Sequence, residues 1–522
     1  MIDDRTSMID DTKYSNTEGA SLETTDSSNE RGEPELKRNL KNRHISLIAL
    51  AGIIGPGILI GASLAIKNGA ASFLISCVVI GLVAFCMLQA LGELSTLYPT
   101  GGAFSTLGNK FVDPAFGGTV GWNYVIVWIA VLANEYNAVA SILQFWGPQV
   151  PLYGYILIFW VAFLAFQFLG VKTFGEAEYW LALMKIVGLL AFYIFTIVYI
   201  SGGVKGTPAF GFHYWRIGAF NHNFKGLANT FVFTSTFFSG TESIAITAAE
   251  SRNPSKAVPS AVRQTFWRIL FIYIGVALSY GLTVPYNDPL LNNGTKALQS
   301  PMSIALIRAG WASGPHLINA FILVTCISAI NSSIYIGSRT IVNLAAENAA
   351  PKVLGKVNKQ GVPYMAVIFT NALGLISLMN ISTGAATAYS YIVNLSGVAV
   401  FIVWGSICFI QIRFRNACKI QGRDTEHLPY RAFLYPWITI IGLVACIFLG
   451  LIQGWSYFKP FDVKNFVDAY ILLPFFVVLF IYLKLMNKTK WVDLKTVDLD
   501  EGRRTDLDQP TTEKKFTSIF SK

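Results

Sequence analysis

Charged residues are scarce in this sequence. Asp, Glu, Lys and Arg make up 13% of its 522 residues, about half the share of soluble globular proteins. Hydrophobic residues make up 53%, and long apolar runs recur from about residue 45 to residue 486. The scarcity of charge excludes an ordinary soluble protein. The recurring runs predict an all-α integral membrane protein that lies in a lipid bilayer and crosses it many times.

The usual signatures of enzymes and metal sites are also missing. The six cysteines form no CxxC pair and the five histidines are scattered, so we expect no disulfide framework and no metal site. The sequence has no GxxxxGK[ST], HExxH or GxSxG motif. These absences argue against an ATP-driven pump and a hydrolase, and we expect neither a cofactor nor enzymatic activity.

The net charge of +10 suggests a nucleic-acid partner, but the position of the charges excludes that interpretation. Lys and Arg are concentrated in the segments that lie inside if the N-terminus is cytoplasmic, as expected from the positive-inside rule. We therefore predict no nucleic-acid binding and two cytoplasmic termini. The apolar runs predict about twelve spans, at residues 45–66, 72–98, 118–144, 152–170, 180–201, 227–249, 265–285, 316–338, 363–379, 388–412, 434–455 and 467–486.

The composition divides the chain into four parts. Residues 1–40 are polar and predict a disordered cytoplasmic tail. Residues 41–412 hold helices 1–10, residues 413–488 hold helices 11 and 12 with a cytoplasmic loop, and residues 489–522 form a second cytoplasmic tail. Exposed lysines in the tails, such as Lys13, are candidate ubiquitin acceptors. A ubiquitin ligase or other trafficking factors are therefore candidate partners.

Helix-breaking residues interrupt the first predicted span, "ALAGIIGPGILIGASL", at Gly52, Gly55, Pro56 and Gly57. Proline costs a helix about 3 kcal/mol and each glycine about 1 kcal/mol. In a membrane, irregular backbone is tolerated only where it faces protein or a water-filled cavity. The break therefore predicts a cavity, although close helix packing at glycine is an alternative. The freed amides and the half-helix from Ile58 suit an anion, and the carbonyls before them suit a cation.

A second break occurs five spans later, where Ser239-Gly240-Thr241-Glu242-Ser243 interrupts the sixth span. The alternative is a kink lined by Ser and Thr. Because five is odd, spans 1–5 and 6–10 have opposite orientations, which predicts an inverted repeat with discontinuous helices 1 and 6. In such proteins the substrate binds near the midplane between the two breaks. A site of both polarities suits a zwitterion such as an amino acid.

Ionisable side chains inside predicted spans are expected to be functional, because burying them in a membrane is costly. Lys185 in the fifth span is a candidate proton carrier, with snorkelling to the interface as the alternative. Glu135 in the third span is a candidate for binding a substrate amino group or a proton, and a structural role is equally open. Glu176 and Glu178 are interpreted as acids that favour the start of a helix.

Three more residues are candidates for proton coupling. Glu242, beside the second break, could carry a proton, act in gating or accept hydrogen bonds from freed amides. Ser328 and Asn331 in the eighth span are candidates to line an ion or proton site, with hydrogen bonding between helices as the more common use of such residues.

Many longer motifs make the chain resemble the fungal amino-acid permeases of the amino acid–polyamine–organocation superfamily. They include "KNRHISLIALAGIIGPG", "LGELSTLYPTGGAF", "FSGTESIAITAAESRNPSKAVPSAV" and "SAINSSIYIGSR". "ANEYN", "GFHYW" and "FVDAYILLP" are most similar to the general, broad-range members. The resemblance implies twelve helices, the LeuT-type fold with a 5+5 inverted repeat, and proton-coupled uptake at the plasma membrane.

The resemblance also implies roles for individual residues. The substrate carboxylate would meet the backbone at Gly55, Pro56 and Gly57, and its amino group would meet carbonyls near Ile53, Thr236 and Ser239. Lys185 resembles the group that replaces a sodium ion in the superfamily. The family pattern has Ser or Thr where this chain has Pro56, so the amides of Gly57 and Ile58 must contribute more.

The sequence therefore predicts a secondary active permease, a proton symporter that takes up amino acids by alternating access. The predicted partners are the amino acid, the proton and the lipid bilayer. A non-transporting amino-acid sensor with the same fold is the alternative. Such receptors tend to carry a long cytoplasmic extension, and the short N-terminal tail favours transport. The sequence does not specify which amino acids are preferred.

Overall fold

The computed structural model describes residues 54–169, 171–221, 223–249, 254–293, 298–358, 361–381, 383–426, 428–458 and 460–504. The predicted tail 1–40 and the start of the first span, including Ile53, lie outside these residues. The regular elements in the described ranges are helical, apart from one isolated bridge between Phe458 and Phe461. This agrees with the predicted all-α class.

The described residues form nineteen α-helices. In chain order they are α1 (Ala62–Ile66), α2 (Ala70–Leu97), α3 (Phe104–Phe111), α4 (Pro114–Leu143), α5 (Leu152–Gln167), α6 (Val171–Ile200), α7 (His213–Gly218), α8 (Asn223–Phe238), α9 (Ile244–Ala249), α10 (Pro254–Arg268), α11 (Gly275–Thr283), α12 (Pro289–Asn293), α13 (Pro301–Arg308), α14 (Gly314–Ala346), α15 (Tyr364–Leu373), α16 (Thr383–Ile420), α17 (Trp437–Ile452), α18 (Val463–Tyr470) and α19 (Leu472–Asn487). The π-helical segments Gly57–Gly61 and Ile269–Ile274 run directly into α1 and α11.

Seven helical segments of the described residues are long and apolar enough to cross a membrane. They are Ala70–Leu97, Pro114–Leu143, Thr173–Ile200, Val258–Thr283, Gly314–Ala346, Tyr364–Ile381 and Ser396–Ile420. The shorter apolar helices are Gly57–Ile66, Leu152–Gln167, Trp437–Ile452 and Leu472–Asn487. Each of these segments coincides with a predicted span, and the remaining predicted span falls on α8 and α9. The helices support a multi-pass membrane protein, whereas the number of crossings stays a prediction.

Two predicted span edges differ from the helix ends. Helix α6 begins at Val171 rather than near residue 180, and α16 continues to Ile420, past the predicted end of the tenth span at residue 412. In both places the extra turns carry charged residues, such as Glu178 and Arg415, which lower the local hydropathy. Those side chains are buried against other parts of the protein. The helix therefore continues past the point at which low hydropathy ends the predicted span.

The longest helices pack side by side. Helices α4 and α14 lie against each other over much of their length, α16 packs on α4 and α17, and α2 packs on α8. Most of their buried apolar side chains belong to one large cluster, and Val125 of α4 packs with Ile341 and Leu344 of α14 in a second, smaller cluster. Because lipid tails are as apolar as these side chains, close packing and hydrogen bonds between helices provide most of the association energy.

The start of α4 is fixed by the buried side chain of Asp113. Its carboxylate accepts a hydrogen bond from the backbone N–H of Ala115 at 2.8 Å, and proline occupies the first helical position, as expected of a helix N-terminus. The Lys484 ammonium and the Thr489 hydroxyl donate to the same carboxylate. Burial alone would raise the pKa of Asp113, but these hydrogen bonds hold it below its usual value.

The chain beyond α19 packs back onto the ends of other helices. Tyr98 donates a hydrogen bond to the Leu499 carbonyl at 2.6 Å, and Gln421 donates to the Val497 carbonyl at 2.8 Å. Val492 N–H donates to the Val112 carbonyl at 2.9 Å. The described part of the predicted C-terminal tail is therefore attached to the helical bundle.

A buried ion pair joins α2 to α16. Arg415 donates two hydrogen bonds to Glu93, through Nε and Nη2, both at 2.7 Å. The side chains are 6% and 0% exposed. The Ala432 N–H also donates to Glu93, at 2.8 Å. The pair ties the end of α16 and the following loop to α2.

We expect Arg415→Gln to destabilise the protein by about 3–5 kcal/mol, because it leaves the Glu93 carboxylate buried without its cation. The measurement is the melting temperature of the detergent-purified variant. Arg423→Gln is the matched control, since its pair with Asp500 is half exposed and is worth at most about 1 kcal/mol. Equal melting temperatures for the two variants would contradict the assignment.

Candidate functional site

The predicted first break falls at the start of the described residues, and the chain before Ile54 lies outside them. Ile54 and Gly55 are not helical, and the helix begins at Pro56. Proline suits a first helical position because it lacks only an N–H that would have no partner there. The N–H groups of Gly57 and Ile58 follow in the first turn, where the helix that begins at Pro56 offers them no carbonyl. The carboxylate site at these amides stays a prediction, and Ile53 lies outside the described residues.

The second break is a sharp turn between α8 and α9. Helix α8 ends at Phe238, and Gly240 has φ 89°, a left-handed conformation that glycine adopts without strain. The Gly240 N–H donates to Glu242 Oε1 at 3.0 Å, and the Trp404 indole N–H donates to Glu242 Oε2 at 2.9 Å. Both oxygens of Glu242 are thus occupied by groups that hold the turn.

Most carbonyls at the end of α8 have partners within the protein. The Tyr273 hydroxyl donates to the Phe237 carbonyl at 2.9 Å, and the Thr241 hydroxyl donates to the Phe238 carbonyl at 2.6 Å. The Tyr273 ring also stacks on Phe238, with ring centres 3.7 Å apart. Tyr273 lies in the π-helical segment Ile269–Ile274, an irregularity that is frequent near functional sites. The break therefore has a fixed shape.

The two breaks touch through one aromatic ring. A Cβ atom added to Gly57 would lie 3.2 Å from Phe237 Cδ1, and one added to Gly61 would lie 3.3 Å from Phe237 Cε1. These distances are shorter than ordinary van der Waals contacts. The ring of α8 therefore occupies the space that the missing side chains of Gly57 and Gly61 leave open.

A cavity of about 220 Å³ lies between the breaks. It is smaller than the roughly 300–1,000 Å³ of pockets for drug-sized ligands, and it has room for about seven waters. Predicted substrate residues that line it are Gly55, Gly57, Ile58, Thr236, Ser239 and Glu135. The described lining does not include Pro56, Gly240, Thr241 or Glu242, which lie beside it or in the second turn.

The cavity wall combines apolar surface with a few polar atoms. Trp128, Phe233 and Ile336 contribute apolar side chains. Ser239 Oγ and Glu135 Oε2 are buried, and neither has a hydrogen-bond partner among the described residues. Buried polar atoms are nearly always paired in folded proteins. Unpaired polar atoms at a cavity are therefore well placed to bind a polar ligand.

The predicted proton-coupling residues of α6 and α14 form a buried network beside the cavity. Lys185 is fully buried, and its ammonium donates to Ser328 Oγ at 2.8 Å. It lies about 21 Å along α6 from Val171 at 1.5 Å per residue. Lys185 also interacts electrostatically with Glu135, which lines the cavity. The network thus links α6 to the cavity through charge.

The interpretation of Glu178 as a helix-end acid was wrong. Glu178 lies two turns inside α6 and is fully buried. It accepts hydrogen bonds from Ser328 Oγ at 2.6 Å and from Asn331 Nδ2 at 2.9 Å. Gln167 donates to Asn331 Oδ1 at 2.8 Å, so Asn331 joins α5, α6 and α14. The seven-residue spacing of Glu178 and Lys185, which puts both on one helix face, was the available sequence signal.

Comparison with known proteins assigns the class of this membrane protein. A family model described as "Amino acid permease" matches residues 44–495, which include both breaks and the cavity. The chain belongs to the amino acid permease family. Its resemblance to the fungal permeases, stated above from sequence motifs, is therefore confirmed.

Individual relatives agree with the family. The chain is 61% identical over 477 residues to the general amino acid permease AGP3 of Saccharomyces cerevisiae, covering 91% of this chain and 86% of that protein. It is 46% identical over 519 residues to an uncharacterized amino-acid permease of Schizosaccharomyces pombe, covering 97% and 95%. It is 35% identical over 486 residues to a lysine-specific permease of Saccharomyces cerevisiae, covering 90% and 79%. All three are named as permeases, so the prediction of a transporter rather than an enzyme is confirmed.

We expect Gly57→Leu to weaken amino-acid binding by about tenfold or more, because overpacking against Phe237 costs about 1–3 kcal/mol and the new side chain enters the cavity. The measurement is the affinity of the purified protein for a labelled amino acid. Gly450→Leu is the matched control, since a Cβ at Gly450 would meet no atom within 4 Å. Unchanged affinity in Gly57→Leu would place the binding site elsewhere.

Proposed function

We propose that the protein is a secondary active permease that takes up amino acids together with protons, by alternating access around the two broken helices. The cavity between the breaks carries this proposal. Its unpaired Ser239 Oγ and Glu135 Oε2, with the helix N-terminus at Gly57, offer groups of opposite polarity within one small space. Family membership supports an amino acid as the substrate.

The substrate carboxylate is proposed to accept hydrogen bonds from the amides of Gly57 and Ile58, near Gly55. A helix N-terminus favours such an anion. The amino group is proposed to lie toward Glu135, Ser239 and the backbone at Thr236. The Thr236 carbonyl already accepts a hydrogen bond from the Ser239 N–H at 3.3 Å. This leaves the Glu135 carboxylate as the strongest partner for an ammonium group.

Broad specificity is proposed from the cavity wall. Apart from Glu135 and Asn134, the side chains that line the cavity are apolar or small, so the wall sets few polar requirements on the side chain of an uncharged amino acid. The name of the yeast general permease supports this proposal. Because another relative is named for lysine, the order of preference among amino acids has to be measured.

Proton coupling is proposed to involve Lys185 and Glu135. The positive charge of Lys185 stabilises the deprotonated form of Glu135. Loss of that charge would favour the protonated form. Binding of a substrate ammonium and loading of a proton are then linked at one carboxylate. At an assumed 100 mV, one inward charge contributes about 2.3 kcal/mol to uptake. Glu242 is proposed to hold the second break rather than to carry the proton, because both of its oxygens already accept hydrogen bonds.

The proposed architecture is the LeuT-type fold with twelve spans and discontinuous helices 1 and 6. Residues 41–412 would form the inverted-repeat core, and residues 413–488 would add the last two spans. The occurrence of two breaks five predicted spans apart supports this arrangement. The distribution of Lys and Arg supports cytoplasmic termini, and the motifs shared with fungal permeases support the plasma membrane. A ubiquitin ligase remains a proposed partner of the tails.

Lys185→Ala is expected to abolish the pH dependence of uptake, because it removes the buried cation beside Glu135. The measurement is the initial rate of labelled amino-acid uptake across a range of external pH, in cells without other permeases. Lys464→Ala, at an exposed lysine, is the control. If Lys185→Ala kept a normal pH profile, Lys185 would have no part in coupling.

Glu135→Gln is expected to raise the KM for amino acids by about tenfold, since charge-assisted hydrogen bonds contribute about 1.5–3 kcal/mol. The measurement is uptake kinetics at constant expression, with the exposed Glu426→Gln as control. A wild-type KM and pH profile would assign Glu135 a structural role only.

A further inference from the structure

The buried acid Glu178 lies outside the proposed substrate site, but Lys185 connects Glu178 to that site. Helix α6 places Glu178 seven residues before Lys185, on the same face. Both side chains are fully buried. Lys185 interacts electrostatically with Glu178 of its own helix, with Glu135 of α4 and with Cys326 of α14. Lys185 therefore lies between one carboxylate at the cavity and another deeper in the bundle.

Ser328 of α14 bridges Lys185 and Glu178. Its hydroxyl oxygen accepts a hydrogen bond from Lys185 Nζ at 2.8 Å, and its hydroxyl proton is donated to Glu178 Oε2 at 2.6 Å. The other carboxylate oxygen, Oε1, is held by Asn331, which Gln167 fixes in turn. These contacts direct Oε2 toward the hydroxyl and form an unbroken chain of donor and acceptor atoms.

We propose that Lys185, Ser328 and Glu178 form a proton relay, in which Glu178 receives the proton that Lys185 releases. The relay rests on the proposed role of Lys185 in proton coupling. In the transfer, a Lys185 N–H bond breaks as the proton moves to Ser328 Oγ. The original Ser328 O–H bond breaks as its proton moves to Glu178 Oε2. The products are a neutral amine, an intact hydroxyl and a neutral carboxylic acid.

The direction of this transfer fits uptake. Seven helical residues correspond to about 10 Å along the axis of α6, and Glu178 is nearer the N-terminal end of that helix. The distribution of Lys and Arg predicts that this end faces the cytoplasm. A proton that passes from Lys185 to Glu178 therefore moves away from the cavity and toward the inside of the cell.

The transfer also suits a buried environment. It converts an ammonium and a carboxylate into two neutral groups, so no isolated charge is created where desolvation is costly. The loss of positive charge at Lys185 is felt by Glu135 at the cavity. A proton shift along the relay thus changes the electrostatics of the proposed amino-group site.

A fixed counter-ion role for Glu178 is the alternative, and the bridging hydroxyl distinguishes the two. Ser328→Val and Ser328→Thr give side chains of similar shape, but only threonine retains a hydroxyl. Both variants keep the charges of Lys185 and Glu178. The added methyl group of valine also fills the space that a replacement water would need. If Glu178 were only a counter-ion, the two variants would transport equally well.

The experiment uses the full chain reconstituted in liposomes with a labelled amino acid. One assay measures accumulation driven by an inward proton gradient, and the other measures amino-acid exchange without a gradient. For Ser328→Val we expect the rate of proton-driven accumulation to fall about a hundredfold, the lower end of what a positioned proton-transfer group contributes. Exchange should persist. Ser328→Thr should retain both activities, and Glu178→Gln should behave like Ser328→Val.

Ser333→Ala is the matched control, because Ser333 is a buried serine of the same helix whose hydroxyl donates to the Ala329 carbonyl at 2.7 Å. Accumulation by Ser328→Val equal to that of Ser328→Thr would overturn the relay. Loss of exchange together with accumulation in Ser328→Val would also overturn it, because Ser328 would then serve substrate binding or folding.

The outcome for Lys185 separates this inference from the proposed function. If Lys185→Ala loses proton-driven accumulation while Ser328→Val and Glu178→Gln retain it, the relay is wrong and the coupling role of Lys185 stands. If wild-type protein shows no proton-driven accumulation, or Lys185→Ala accumulates normally, the proposed coupling mechanism itself is wrong.

Discussion

Backbone groups inside a membrane must find hydrogen-bond partners within the protein or in an enclosed cavity. This requirement governs the second broken helix. Glu242 accepts from Gly240 and Trp404, and Tyr273 and Thr241 donate to the carbonyls that end α8. The protein thus supplies the hydrogen-bond partners of the turn itself. Among the described residues, only a few polar atoms at the cavity are left without a partner. The proposed substrate recognition depends on this division, because a wall whose polar atoms were all paired would offer a polar ligand no hydrogen-bond partner.

Local chain chemistry explains why the helix start at Pro56 and the break at Gly240 could be predicted. Glycine and proline act on their own backbone, so Pro56 and Gly240 can be recognised without knowing what surrounds them. The all-α class and most helix positions follow in the same way from apolar runs. The cavity residues Thr236 and Ser239 could be predicted because they are next to a break. Their exact hydrogen bonds could not, because Tyr273 and Trp404 come from distant parts of the chain.

Glu178 marks the limit of such prediction. Its burial requires α6 to begin about two turns earlier than the hydropathy indicates, and its partners Ser328 and Asn331 lie 150 and 153 positions away in the sequence. A carboxylate that meets such partners is buried and hydrogen bonded, whereas the same carboxylate at a free helix end is solvated. Only the packing of α5, α6 and α14 distinguishes these cases. The proton relay from Lys185 through Ser328 to Glu178 could therefore not be predicted before that packing was known.

The contact of the Phe237 ring with Gly57 and Gly61 has a genetic consequence. The Phe237 side chain fills the space beside Gly57 and Gly61, which have no side chains. A larger residue at either glycine therefore requires a smaller residue at position 237. Residues separated by about 180 positions should then behave as a single locus. Harmful enlargements at either glycine should be relieved by smaller residues at position 237, and suppressor mutations should appear in pairs that join the segment Gly57–Gly61 to α8.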